Sequence, residues 1–226
     1  MSDTVWFGTN IREVDIELPY KSMIEYLYQR KKEQTPDEKL SGNSSSENAY
    51  QSTDLKDHPI FDKLKEHIYR NADELGKLFL LRTDKEQIIS NMWCCINPKG
   101  ASNRGHNHPG ACFSGVVYLQ CNEKSGDLNL THPAVNQNYH FNDEMVNDWN
   151  NLNSGGYSLT PRVGTMVIFP AYQYHYVDPN LSEQDRIAIA FNTMLVDKEL
   201  YDKFNTINKQ KMNWRRNYGR TTSKKP

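Results

Sequence analysis

Three of the seven histidines in these 226 residues stand where a metal ion could use them. His106 and His108 are separated by one residue, inside Asn103-Arg104-Gly105-His106-Asn107-His108-Pro109-Gly110. On a helix two side chains at that spacing point roughly 200° apart, whereas in extended chain they leave the same face. The Gly- and Asn-rich surroundings favour the extended reading, so the pair forms a two-pronged claw. His175 supplies a third prong, in a stretch of aromatics (Tyr172, Tyr174, Tyr176) that follows an apolar run and Pro170. Neutral imidazole is a good transition-metal ligand. Eleven residues further stands Arg186, whose planar guanidinium suits a carboxylate in two-point contact. Each has a plainer reading. A lone histidine is more often structural or exposed, and Arg186 could be a surface residue neutralised by Glu183 and Asp185.

These residues need strands to hold them. Phe113-Ser114-Gly115-Val116-Val117-Tyr118-Leu119 carries β-branched and aromatic residues and reads as a strand. So do Ile88 to Ile96, the short Asp127 to Leu130, Val163 to Phe169, and Ile187 to Asn192. Alternation over Val14 to Leu18 suits one more, the first of an outer sheet, ended by Pro19. Two helices are expected on the outside. One covers Tyr20 to Lys32, with Met23, Ile24 and Leu27 on a face. A longer one starts at Asp57-His58-Pro59 and carries Ile60, Phe61, Leu64, Ile68, Leu75 and Leu78. Residues 33–48, charged and then Ser/Gly/Asn-rich, read as an exposed flexible loop. Residues 136–153 are rich in amides and aromatics (Tyr139, His140, Phe141, Trp149), with a helical turn near Glu144; a loop of that length beside a metal suggests a substrate lid. Asn97-Pro98-Lys99-Gly100 is a turn. His132 closes a short strand and is a candidate support for the site, whereas His58 and His67 are expected to be exposed.

Composition limits the alternatives. At 226 residues and 37% hydrophobic content the chain is one domain over 1–202, followed by a basic tail over 203–226. That tail holds eight Lys or Arg and no acid, while the whole chain has a net charge of −1. Contact with nucleic acid phosphates is therefore open, but a solvated terminus is the plainer reading. No apolar run approaches the ~20 residues that span a bilayer, and Met1 to Trp6 has no secretory pattern. Four cysteines without CxxC spacing give neither a disulfide framework nor a zinc knuckle, so a cytoplasmic protein with reduced thiols is expected. Ser114 lacks the flanking glycine of a nucleophile elbow, so acyl transfer is not indicated.

Taken as an ordered set, H-x-H-P, S-G-V-x-Y-L, G-D-L, F-P-x-x-x-x-H-x-V and R-x-A-x-x-F-N resembles a phage and marine-bacterial family of 2-oxoglutarate/Fe(II)-dependent oxygenases, over about Tyr50 to Asn192. The resemblance implies a mainly β fold with flanking helices, the double-stranded β-helix or cupin-like jelly roll. It also implies Fe(II) on His106, His108 and His175, with 2-oxoglutarate and O2 as cosubstrates. Arg186 would take the distal carboxylate of 2-oxoglutarate, helped by Ser114, Tyr118 and Asn192. The activity implied is hydroxylation of an unidentified small-molecule or peptide substrate, with 2-oxoglutarate decarboxylated to succinate. One departure matters. The usual oxygenase set is two His and one Asp or Glu, and here His108 takes the carboxylate's place, with no acid between Ile88 and Gln120. A three-histidine site carries one negative charge less and leaves room for Zn, Ni or Cu. The competing reading is a cupin-like metal-binding protein without 2-oxoglutarate turnover. Exposed outer strands leave a homodimer open.

Overall fold

The computed structural model describes residues 8–33, 45–132, 142–199 and 201. In chain order the elements are β1 (Arg12–Asp15), α1 (Tyr20–Glu33), β2 (Ser46–Glu47), β3 (Tyr50–Gln51), a 3-10 turn (Pro59–Phe61), α2 (Asp62–Leu78), β4 (Lys85–Asn97), β5 (Ser102–His106), β6 (Phe113–Gln120), β7 (Leu128–Thr131), β8 (Gly156–Leu159), β9 (Thr165–Pro170), β10 (His175–Val177) and β11 (Arg186–Asp197). They make two antiparallel sheets. The larger runs β1-β9-β6-β11-β4-β3 and the smaller β2-β5-β10-β7-β8. This is the double-stranded β-helix expected from the sequence.

The period of the strands decides which side each residue serves. In β11, Ile187, Ile189 and Phe191 are buried in the core beneath the helices, with Met92, Cys94 and Ile96 of β4 beside them. Met23 and Leu27 of α1 and Leu64, Ile68, Ala72 and Leu75 of α2 close that core. Their spacing puts one apolar stripe on each helix. The alternate residues of β11 (Arg186, Ala188, Ala190, Asn192) face the smaller sheet. Two alanines there leave room between the sheets, where Tyr118, Val167, Phe169 and Leu128 form a second, smaller core. A Cβ at Gly115 would lie 2.6 Å from the Val167 carbonyl and also meet the Phe191 ring, so glycine is required where that ring packs on β6.

Some expectations change. The strand read over Val14 to Leu18 is β1 and ends at Asp15, although Ile16 and Leu18 are buried. The long helix read from Pro59 is a 3-10 turn followed by α2. His58 is half-buried, not exposed. Its Nδ1 accepts from the Ile60 N–H at 3.3 Å, and its ring stacks on Tyr26 at 4.1 Å. His67 is half-buried as well. Of the expected loop over 33–48, residues 34–44 lie outside the described residues, while Ser46–Glu47 pairs with β5. Tyr157 to Leu159 belongs to a further strand, β8, at the edge of the smaller sheet. The basic tail over 203–226 lies outside the described residues.

Candidate metal and cosubstrate site

Antiparallel pairing of β5 with β10 places His106 directly opposite His175. His108 lies two residues beyond β5, and its N–H donates to the Ala171 carbonyl at 3.0 Å, tying the segment to the turn between β9 and β10. The three rings converge, with centroids 4.3 Å apart for His106 and His175, 4.9 Å for His106 and His108, and 5.2 Å for His108 and His175. One ring nitrogen from each lies within 4.8 Å of the others.

The unused nitrogens are held. His106 Nδ1 is 2.7 Å from the Arg104 carbonyl and His175 Nδ1 is 2.9 Å from the Gln173 carbonyl. A carbonyl only accepts, so each Nδ1 carries the proton and each Nε2 keeps its lone pair. Burial lowers the basicity of all three imidazoles: His175 falls to about 3, His108 to about 4, and His106 shifts in the same direction. For His108 and His175 the neighbouring histidines add to the effect. Neutral imidazole at neutral pH is the form a metal needs. Phe169 packs edge-on to His175 at 4.8 Å, and Ser45 Oγ is 3.4 Å from His106 Nε2.

Behind the triad a narrow cavity runs between the sheets, past Tyr118, Cys95 and Ala188, to Arg186, Asn97 and Asn103. Arg186 is 3% exposed, so it is not the surface residue its acidic neighbours allowed. Its Nη1 donates to the carbonyls of Ser125 (2.5 Å), Asp178 (3.2 Å) and Gly126 (3.3 Å), and Nη2 to Asn103 Oδ1 (3.4 Å). No carboxylate among the described residues lies at ion-pair distance from it. A cation buried against neutral acceptors is an incomplete arrangement that an anionic ligand would complete. Gly126 makes the cradle possible: its φ is +84°, and a Cβ there would lie 2.8 Å from the Pro179 carbonyl oxygen.

The other expected helpers divide between two spaces. Ser114 and Tyr118 line the cavity. Ser114 Oγ donates to Asn192 Oδ1 at 2.7 Å across the β6–β11 pair. Asn192 faces the open groove on the outer side of the triad, with Gln51, Asn91, Trp93 and Asn107. It sits at a β-bulge, where β4 has an extra residue at Ser90, a feature that re-aims side chains. His132 does not adjoin the triad; it borders a different cleft, with Trp149 and Tyr157. Gln173 supports His175 instead: it is 2% exposed and its side-chain amide donates to the carbonyls of Thr131 and Tyr174. Of the expected lid, Tyr139, His140 and Phe141 lie outside the described residues. Residues 142–153 form exposed turns, with Trp149 Nε1 donating to Asp143 Oδ1 at 3.0 Å.

Sequence reasoning missed Ser45, Trp93, Asn97 and Asn103. The signal for two of them was present. Asn91, Trp93, Cys95 and Asn97 alternate with Met92, Cys94 and Ile96, the pattern of a strand with one face in a core and one on a polar cavity.

Residues 91–192 match the model of a family described as "Putative 2OG-Fe(II) oxygenase". No curated protein matches by sequence. Among solved structures the fold is similar to a prolyl-4-hydroxylase from Pseudomonas putida, at 15% identity over 82% of this chain and 93% of that one, with a TM-score of 0.54. It is also similar to a viral collagen prolyl hydroxylase from Paramecium Bursaria Chlorella virus-1 in complex with 2-oxoglutarate, at 12% identity over 81% and 94%, TM-score 0.52. HygX from Streptomyces hygroscopicus, with nickel, 2-oxoglutarate and hygromycin B bound, matches at 12% identity over 83% of each chain, TM-score 0.54.

Proposed function

We infer that this chain, whose central segment and fold are those of the 2OG-Fe(II) oxygenases, is a non-haem Fe(II)- and 2-oxoglutarate-dependent oxygenase that hydroxylates a substrate held at the mouth of the jelly roll. One observation carries this furthest. Three neutral imidazoles, two of them with the tautomer fixed by a backbone carbonyl, converge at one end of a cavity whose other end is a buried arginine without an acidic partner among the described residues. The donor set fits the metal: nitrogen ligands suit iron, and three of them leave positions for other ligands.

In this reading His106, His108 and His175 hold the metal through Nε2. Arg186 receives the distal carboxylate of 2-oxoglutarate, and Tyr118 and Ser114 line its path. Asn192, fixed by Ser114, sits at the boundary between cosubstrate and substrate. When bound, Fe(II) supplies the activation of O2 that couples 2-oxoglutarate decarboxylation, giving succinate and CO2, to conversion of a substrate C–H bond to C–OH. The protein's contribution is to orient the cosubstrate and keep its pocket dry. The substrate, a small molecule or a peptide, would enter by the open groove over Trp93 and the amides of Gln51, Asn91 and Asn192. Four free cysteines, and no helix among the described residues long and apolar enough to cross a membrane, support action in the cytoplasm, that of a host cell for a phage-borne chain.

The test is an anaerobic titration of metal-free protein with Fe(II) and then 2-oxoglutarate, following the visible charge-transfer band of the chelate. The band should appear at one equivalent of iron and be absent in His175→Ala. His108, standing where a carboxylate is usual, favours the cupin-like alternative. Stoichiometric metal with no band, and no succinate formed in air, would establish that alternative.

A further inference from the structure

We propose that Asn97 is a second donor to the distal carboxylate of 2-oxoglutarate, released for that task by a paired rotation of the Asn97 and Asn103 amides. This rests on the cosubstrate reading above. Asn97 ends β4, directly opposite Arg186 on β11, and is completely buried at the same end of the cavity. Its Nδ2 donates to Asn103 Oδ1 at 3.2 Å, while its Oδ1 has no hydrogen-bond partner among the described residues. A buried amide oxygen without a donor is costly, and such groups in native proteins point to a missing partner.

The neighbours show how it could be supplied. Asn103 Oδ1 accepts from both Asn97 and Arg186 Nη2, and Asn103 Nδ2 donates to Ser46 Oγ at 2.8 Å. Exchanging nitrogen and oxygen in both amides reverses this chain. Asn103 Nδ2 then donates to Asn97 Oδ1, which is no longer an orphan, and the Ser46 hydroxyl turns from Gln51 Oε1, which it meets at 3.4 Å, to donate to Asn103 Oδ1. Two consequences follow at the cavity end. Arg186 Nη2 loses the one side-chain acceptor it has among the described residues, and Asn97 Nδ2 takes the place of Oδ1 in a residue that lines the cavity. The end of the cavity then presents donors alone, from a guanidinium and an amide on paired residues of adjacent strands. That arrangement takes both oxygens of one carboxylate. A 2-oxo acid with the same head group but an uncharged tail in place of the distal carboxylate gains nothing from it. Asn97 therefore acts on which 2-oxo acid is accepted and leaves metal binding alone.

The experiment is calorimetric titration of the Fe(II)-loaded protein, without oxygen, with 2-oxoglutarate and separately with 2-oxobutanoate, which lacks the distal carboxylate. Asn97→Ala should weaken 2-oxoglutarate by ~10-fold or more, the worth of one hydrogen bond to a charged group, and leave 2-oxobutanoate within about threefold. Asn97→Asp keeps the shape but offers only acceptors and a negative charge beside Arg186. It should lose 2-oxoglutarate more severely, with iron stoichiometry and 2-oxobutanoate binding retained, and it serves if the alanine variant does not fold. Equal weakening of both acids would make Asn97 a structural residue, and wild-type affinity for 2-oxoglutarate in either variant would overturn the proposal. Wild-type protein that binds iron but neither acid would instead remove the cosubstrate reading, and this inference with it.

Discussion

Replacing Arg186 by Met removes the charge at roughly constant length and separates its structural role from the role proposed for it in binding 2-oxoglutarate. The first is structural. Arg186 Nη1 serves the carbonyls of Ser125, Gly126 and Asp178, and the residue is 3% exposed, so those three acceptors lose a shared donor with little water to replace it. Each buried unpaired acceptor costs on the order of 1–3 kcal/mol, offset in part because a desolvated cation is no longer carried. A net loss of ~1–3 kcal/mol is expected, read as a fall in Tm of roughly 2–12 °C for a chain of this size. The second role is binding. Loss of one partner of a buried charge pair costs about 2–5 kcal/mol, which corresponds to a ~30- to 4,000-fold weaker Kd for 2-oxoglutarate. Arg186→Lys resolves the two. A lysine ammonium can satisfy the carbonyl cradle but has no second arm for the ligand, so stability should recover further than affinity does. Thermal melts of the metal-loaded protein with and without saturating 2-oxoglutarate measure both quantities at once. If Arg186→Met keeps the wild-type ligand-induced rise in Tm, the guanidinium does not bind the cosubstrate and is only a tie between loops.

Three other substitutions or conditions probe the same site. His108→Asp restores a carboxylate to the metal set and should shift preference toward Fe(II) and Mn(II) over Cu(II) and Zn(II), as read by competition with a chromophoric chelator; an unchanged order would remove His108 from the ligand set. Because His108 and His175 titrate at about 4 and about 3 in the fold, below the ordinary histidine value of 6.5, the unfolded chain takes up their protons first. Stability of the metal-free protein is therefore present above pH ~6.5 and is lost as pH falls from there toward 4 and then 3. Urea melts across that range check the sign, and His175→Gln should flatten the slope. Gly126→Ala combines a backbone at φ +84° with a Cβ 2.8 Å from Pro179 oxygen. It should destabilise the fold by more than ~1 kcal/mol and weaken 2-oxoglutarate binding, because Gly126 and Asp178 together seat Arg186; equal affinity in that variant would mean that the cradle does not position the arginine.

How far the sequence led depends on which physical signal each part carries. The large apolar residues between alanines in β11 and the β-branched and aromatic run of β6 made both segments legible as strands, whereas their pairing was not. His106 and His108 were readable because their spacing has meaning only in extended chain. Arg186 was readable by position, but its burial was not: Glu183 and Asp185 beside it look like its partners, and only the fold turns the guanidinium inward to the backbone of residues 125–126 and 178. Asn97 was hidden because Asn97-Pro98-Lys99-Gly100 reads equally well as a turn, and the residue is both the end of β4 and the start of that turn. Ser46 was hidden for a related reason. A two-residue strand has no periodicity to detect, and it exists only because β5 offers it an edge.

The facing of His106 and His175 across β5 and β10 has a consequence for how the molecule holds together. β10 is three residues long and β5 five, so the centre of the smaller sheet rests on few backbone bonds. An ion gripped from both strands is a clasp on their register, and a slip of one residue would turn one of the two rings to the opposite face. With the proposed metal bound by these residues, occupancy and closure of that sheet are coupled. Treatment with a chelator should accelerate amide hydrogen exchange in β5 and β10 before it reaches β4, β6 or β11, whose longer pairings and helix-covered core need no clasp.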